Sequence, residues 1–137
     1  MKKILVLCTG NSCRSQMAEG YLQYYAGYKA TVYSAGIEAH GVNPHAIAVM
    51  REDGIDISSH SSDLLDRYLD IDFDFVITVC DNARERCPYF PTSATKVHYN
   101  FPDPGRAQGT EEQVMEEFRR VRDMIKEYCR AFAEQNL

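Results

Sequence analysis

Five cysteines in a chain of 137 residues, and the company two of them keep, hold most of the chemistry this sequence has to offer. Cys8 opens the segment Cys8-Thr9-Gly10-Asn11-Ser12-Cys13-Arg14-Ser15, in which small residues separate a thiol from a guanidinium. Such a loop, set between a strand and a helix, can turn successive backbone N–H groups inward and make an anion nest at the positive end of the helix. Arg14 adds a planar fork that matches two oxygens of a tetrahedral oxyanion. The predicted oxyanion-binding residues are therefore Thr9, Gly10, Asn11, Ser12, Cys13 and Arg14. Cys8 at the base of the nest is the predicted nucleophile, and Ser15, directly after Arg14, is counted with the catalytic group. Donors that bind an anion also favour thiolate over thiol, so the Cys8 pKa is expected below the ordinary value. Gly10 and Asn11 are residue types that tolerate the left-handed backbone a tight nest requires. The Gly-Lys-Ser/Thr ending of a nucleotide P-loop is absent from the segment, and a cysteine nucleophile stands in place of that lysine.

The other thiols divide by context. Cys80 and Cys87 flank Asp81-Asn82-Ala83-Arg84-Glu85-Arg86, a polar stretch that reads as exposed, and its two arginines favour thiolate at Cys87. Cys129 falls on an apolar stripe and reads as a small buried hydrophobe. An odd cysteine count without the pattern of a small secreted framework argues for a reducing compartment, and the expected location is the cytoplasm. Zinc is disfavoured because structural sites usually bring ligands about two to four residues apart, and here the gaps are four (Cys8 to Cys13) and six (Cys80 to Cys87). His40, His45, His60 and His98 lack metal spacing and read as surface or hydrogen-bonded residues.

These side chains need elements to place them. Lys3 to Leu7 is an apolar run suited to a strand buried on both faces. Met17, Ala18, Tyr21, Leu22 and Tyr25 recur at helical spacing up to Gly27. Thr31 to Ala35 reads as a second strand ending at Gly36, and Pro44 opens a helix through Ile47, Ala48 and Met50 that Gly54 stops. Ser61 or Ser62 is expected to cap a short helix through Leu64, Leu65 and Tyr68. Phe73 to Val79 and Lys96 to Tyr99 are the third and fourth strands. A final helix runs from about Glu111 to Ala133, with Val114, Phe118, Val121, Ile125, Cys129 and Phe132 on one stripe. This alternation predicts an α/β three-layer fold: a four-stranded, mostly parallel sheet with helices on both faces. Ligands of such sheets bind beyond the carboxyl ends of the strands, where strand order reverses. Cys8 follows the first strand, Cys80 the third and Asp103 the fourth, so three reactive side chains converge on one sheet edge.

Composition bounds the partners. The chain is 45% hydrophobic and 26% charged, ordinary values for one compact domain, here residues 1–137. Fifteen basic against twenty acidic side chains leave −5, which disfavours nucleic acid. An anionic substrate must then be drawn by a local site. No apolar stretch reaches the roughly 18 residues of a membrane helix, so no membrane partner is expected. The apolar run after Met1-Lys2-Lys3 stops at Thr9-Gly10-Asn11, too short for an export signal.

At these residues the chain resembles the low-molecular-weight tyrosine phosphatase fold and, within it, the thioredoxin-coupled arsenate reductases. The likeness spans essentially the whole chain: the Cys8-to-Ser15 loop, Ser34-Ala35-Gly36, Gly54-Ile55-Asp56-Ile57-Ser58, Val79-Cys80-Asp81-Asn82, Cys87-Pro88 and Phe101-Pro102-Asp103-Pro104. The resemblance implies that Cys8 attacks arsenate and that Asp103 protonates the leaving oxygen. It further implies that Cys80 attacks the sulfur of Cys8 and expels arsenite, that Cys87 then resolves the Cys8–Cys80 disulfide to Cys80–Cys87, and that thioredoxin restores the thiols. Reduction of As(V) to As(III) takes two electrons, which a second thiol can supply, whereas a phosphatase regenerates its single thiolate by hydrolysis. A helical Cys80–Cys87 segment would hold the two Cα atoms about 10 Å apart. A disulfide needs them within about 7 Å, so the segment is expected to unwind on oxidation. Gly105 after Asp103-Pro104 stands where phosphotyrosine-specific relatives carry an aromatic residue, and suits a compact inorganic oxyanion such as arsenate, phosphate or sulfate. Some members hold a potassium ion, and the matching positions are Asn11, Glu19, Ser34 and Asp63; no other cofactor is implied. The expected function is arsenate reduction with a weak phosphatase side activity. The alternatives are a low-molecular-weight tyrosine phosphatase and a non-enzymatic thiol redox sensor or oxyanion-binding module.

Overall fold

A computed structural model of the chain describes residues 1–80 and 94–137. Cys87, the polar stretch before it and the expected unwinding between Cys80 and Cys87 lie outside the described residues. Four strands, β1 (Lys2–Cys8), β2 (Ala30–Gly36), β3 (Phe75–Thr78) and β4 (Thr95–His98), form one sheet in the order β2-β1-β3-β4. All three pairings are parallel. The chain leaves β1 first toward β2 and later returns to β3 on its other side, so strand order reverses between β1 and β3. That is the position where a parallel sheet opens a ligand crevice.

Among the described residues, one face of the sheet carries three helices, α1 (Arg14–Ala26), α2 (Pro44–Glu52) and α3 (Glu111–Asn136). Ile4, Val6, Val32, Ile77 and Val79 from the sheet meet Met17, Tyr21, Leu22, Val49, Met50, Phe118, Val121 and Ile125 from the helices in one core. On the other face Leu5, Leu7, Ala35 and Val76 pack under Leu65 and Phe73, with the one-turn 3₁₀ helix Leu65–Tyr68 as the cover. β1 is thus buried on both sides from Ile4 to Cys8, as its unbroken apolar run requires. The α/β class is the one the alternation of elements implies.

Local chemistry explains the boundaries. Asn43 caps α2 by accepting from the N–H groups of His45 and Ala46, with Pro44 just inside the first turn. Thr110 and Gln113 make a reciprocal capping box at the start of α3. Gly27 (φ 58°) and Gly54 (φ 80°) take the left-handed turns that follow α1 and α2. The expected Ser61 or Ser62 cap is not made. The short helix is 3₁₀, Leu64 stands at its cap position, Ser62 Oγ donates to the Gly10 carbonyl and Ser61 Oγ to Asp63. The loop after β1 draws off the Ser62 hydroxyl and the Asp63 carboxylate the Ser61 hydroxyl, leaving neither for a weak one-turn helix. β3 is shorter than Phe73 to Val79, because the Lys3 N–H bonds the Asp74 carboxylate and Phe73 turns into the second core.

Candidate active site

The loop from Cys8 to Arg14 is held by its carbonyls. Each one from residue 8 to 13 accepts a hydrogen bond from outside the pocket: Cys8 O from Ile37 N (3.3 Å), Thr9 O from Glu38 N (2.8 Å), Gly10 O from His40 N (2.9 Å), Asn11 O from Gln16 Nε2 (3.1 Å), Ser12 O from Asn43 N (3.1 Å) and Cys13 O from Met17 N (2.9 Å). A trans peptide points its N–H opposite to its C=O. Fixing six carbonyls outward therefore turns the N–H groups of residues 9 to 14 toward the crevice. Cys13, at the cap position of α1, makes no side-chain cap bond, which leaves the first-turn N–H groups of that helix for an anion. The predicted nest is present, and the segment 36–43 that clamps it is the part sequence reasoning missed.

Asn11 adopts the one positive φ among the described non-glycine residues, 49°. Its fully buried side chain donates to Ser15 Oγ (2.8 Å) and Ser34 Oγ (3.0 Å) and accepts from the Asp63 N–H (2.8 Å) and Gln16 Nε2 (3.1 Å). Ser15 thus acts through Asn11, as a positioning residue. Gly10 does not take the left-handed conformation; its small size serves His40, whose Nδ1 lies 2.3 Å from where a Cβ would stand. Gly36 is similarly pinned, since a Cβ there would meet the Thr9 carbonyl at 2.8 Å and the Asn11 nitrogen at 2.9 Å.

Cys8, Thr9, Gly10, Ser12, Cys13, Arg14, Cys80 and Asp103 line one pocket of about 680 Å³. His40, Asn43, Asn100, Phe101, Pro102, Gly105 and Arg106 complete it, and none but Gly105 stood out as a site residue in sequence. Cys8 Sγ donates to Cys80 Sγ at 3.6 Å, and the Thr9 hydroxyl lies 3.3 Å from Cys80 Sγ. Register explains the meeting: Leu7 pairs with Thr78, so the next residues of β1 and of the chain leaving β3 run side by side past the sheet edge. Arg14 Nη1 donates to the Phe101 carbonyl at 3.1 Å, and Nη2 is 3.7 Å from Asp103 Oδ2. Asp103 Oδ1 accepts from the Gly105 N–H at 2.9 Å, while Arg106 Nε is 3.8 Å from Oδ2.

The acidity of Cys8 departs from the expected direction. The hydrogen bond to Cys80 and burial push its thiol up, against the pull of Arg14 and the Thr9 N–H in the opposite sense. A second sulfur within contact distance is what the nest argument left out. Burial likewise pushes Cys13 up to about 11. Cys129 is buried in the core, bonded to the Ala18 carbonyl, as its place on the apolar stripe implies.

The four oxygen-bearing positions considered for potassium sit together behind the nest. Ser34 Oγ, bonded by Asn11, donates to Glu19 Oε1 at 2.5 Å, and Asp63 joins through its N–H. Glu19, Ser34 and Asp63 line a cleft of about 250 Å³ with His60 and Tyr68. Burial pushes the Glu19 carboxyl up despite hydrogen bonding from Ser34 and the nearby His60. A potassium ion here would share Glu19 with Ser34 and His60, Asp63 with Arg67, Ser61 and Tyr68, and the Asn11 amide oxygen with two N–H donors, and it would relieve the cost of burying Glu19 ionised.

A parallel sheet with a thiol-and-guanidinium nest at its switch point defines a class of cysteine-dependent oxyanion enzyme. The chain belongs to the low molecular weight phosphotyrosine protein phosphatase family, which it matches over residues 3–137. Within that family it is similar to the arsenate reductase of Bacillus subtilis (strain 168), 52% identical over 133 residues that cover 97% of this chain and 96% of the relative. Its structure is similar to that of an arsenate reductase in the oxidized state, with a TM-score of 0.85, 35% identity and 98% of each chain covered. It is also similar to an arsenate reductase in the phosphate binding state, at a TM-score of 0.80 with 35% identity and the same coverage.

Proposed function

We infer that this chain is an arsenate reductase, and that Cys8, Cys80 and Cys87 relay the electrons. The observation that carries the relay is the 3.6 Å contact between the Cys8 and Cys80 sulfurs beside the nest. Arsenate is a tetrahedral oxyanion of the kind the inward N–H groups and Arg14 receive; Arg14 exchanges its hold on the Phe101 carbonyl for the anion. Cys8 Sγ attacks arsenic, and one arsenate hydroxyl leaves as water with the proton given up by the Cys8 thiol, passed on through the general acid. Asp103 is the group placed to protonate that oxygen. Cys80 then attacks Cys8 Sγ: the S–S bond forms, the S–As bond breaks, and arsenic departs with the electron pair as arsenite, which takes up the Cys80 proton. Cys87 exchanges into that disulfide, freeing Cys8, and thioredoxin supplies the dithiol that reduces Cys80–Cys87. The sum is arsenate plus one dithiol giving arsenite, one disulfide and water.

The same nest and acid serve hydrolysis of a small aryl phosphate, so a weak phosphatase activity accompanies the reductase. Asn11, Glu19, Ser34 and Asp63 would hold a potassium ion whose positive charge keeps Glu19 ionised and the Asn11 side chain fixed. The cytoplasm is the compartment that keeps such thiols reduced; no helix among the described residues is long and apolar enough to cross a membrane. Steady-state turnover of arsenate with thioredoxin, thioredoxin reductase and NADPH tests the reading. NADPH oxidation that depends on both arsenate and thioredoxin is expected. Phosphatase turnover without it would leave only the phosphatase, and neither activity would leave the sensor or binding module.

A further inference from the structure

We propose that the reduced Cys8–Cys80 pair is also a chelating site for trivalent arsenic, so that the enzyme holds its own product when both thiols are reduced. The two sulfurs lie 3.6 Å apart, both nearly inaccessible, at the base of the same pocket. A disulfide has an S–S length of about 2.0 Å, so these sulfurs must close by about 1.6 Å to become one. A single soft, pyramidal atom bonded to both can bridge them with far less movement, and trivalent arsenic is such an acceptor for thiolates. The nest guides an oxyanion to Cys8, and released product can return by the same opening once thioredoxin has restored the dithiol.

The chemistry involves no electron transfer. As(OH)₃ and the two thiols give HO–As(S-Cys8)(S-Cys80) and two molecules of water; two As–O and two S–H bonds break, two As–S and two O–H bonds form, and arsenic stays trivalent. A monosubstituted arsine oxide reacts likewise, losing one water. Capture removes both the nucleophile and the thiol that would attack it, so arsenite inhibits reversibly and in competition with arsenate. That regulatory consequence rests on the reductase reading, whereas the chelation rests only on the sulfur geometry.

Phenylarsine oxide is the probe, with intact-mass measurement on the fully reduced full-length chain. One adduct per protein is expected, unchanged in Cys87→Ser and in the buried-core control Cys129→Ser, and slowed by sulfate, which covers Cys8. Cys8→Ser and Cys80→Ser are each expected to lose at least tenfold in affinity. Proteolysis of the wild-type adduct, which depends on no variant folding, should recover arsenic joining the Cys8 and Cys80 peptides. Arsenic recovered on Cys80 with Cys87, or on Cys8 with Cys13, overturns the proposal. Arsenate turnover without capture overturns it and spares the reductase reading; capture without turnover does the reverse.

Discussion

Arg14 and Cys80 carry the sharpest consequences at the scale of single residues. Arg14 presents a planar fork between the Phe101 carbonyl and Asp103, and a lysine would offer a point charge in its place. Arg14→Lys should lower kcat/KM for arsenate by about 10²-fold, the usual cost of losing one well-placed oxyanion donor, with the fold intact by circular dichroism. Cys80 supplies the first of the causes that push the Cys8 thiol up. In Cys80→Ala that cause is gone while Arg14 still pulls down, so the pH at which iodoacetamide labels Cys8 should shift downward. An unshifted profile would mean that burial alone sets the acidity of Cys8. That Cys8, Arg14 and Asp103 meet at one pocket was legible from residue type and placement after strands. The direction of the Cys8 shift was not, because it depends on a sulfur 72 positions away along the chain.

Among the elements, the segment that follows β2 does what no motif announced. Its backbone N–H groups at Ile37, Glu38, His40 and Asn43 hold four carbonyls of the nest. Backbone donors leave no residue-type signature, so only Gly36 gave a hint, and its reason is close approach rather than a turn. Gly36→Ala would set a methyl group against the Thr9 carbonyl and the Asn11 nitrogen. A loss of about 1–3 kcal/mol in urea-unfolding stability is expected, as for other overpacked sites, together with weaker sulfate binding by calorimetry. Normal sulfate affinity in a destabilised variant would separate the segment from the nest. The strands and long helices were readable from periodicity, since burial on both faces or on one stripe writes itself into the sequence. The Ser61 and Ser62 cap was misread because the Ser62 hydroxyl serves a loop some fifty residues earlier and the Ser61 hydroxyl serves the Asp63 carboxylate.

For the whole molecule, pH acts through one buried carboxylate, and the proposed potassium ion would act through the same group. Glu19 has its folded pKa raised by burial, so its contribution to stability is full below the unfolded value of about 4.3 and is lost as pH rises through the folded value. Glu19→Gln should therefore flatten the stability profile between the unfolded and the raised folded value. Potassium in place of sodium should raise the Tm of the native chain at neutral pH and leave that of Glu19→Gln unchanged; equal effects of the two ions would exclude the site. The net charge of −5 shows that the attraction for an anion is local. It resides where the strand order turns between β1 and β3, and where the chain leaving β3 brings Cys80 against Cys8. The central claim is that this contact is the electron-transfer step. Its most direct test mixes reduced Cys87→Ser with arsenate and counts product. About one arsenite per protein, followed by arrest with Cys8 joined to Cys80 by peptide mapping, is the expected result, since the last exchange cannot occur. Continued turnover with thioredoxin, or a protein that hydrolyses aryl phosphate yet releases no arsenite, would contradict the account.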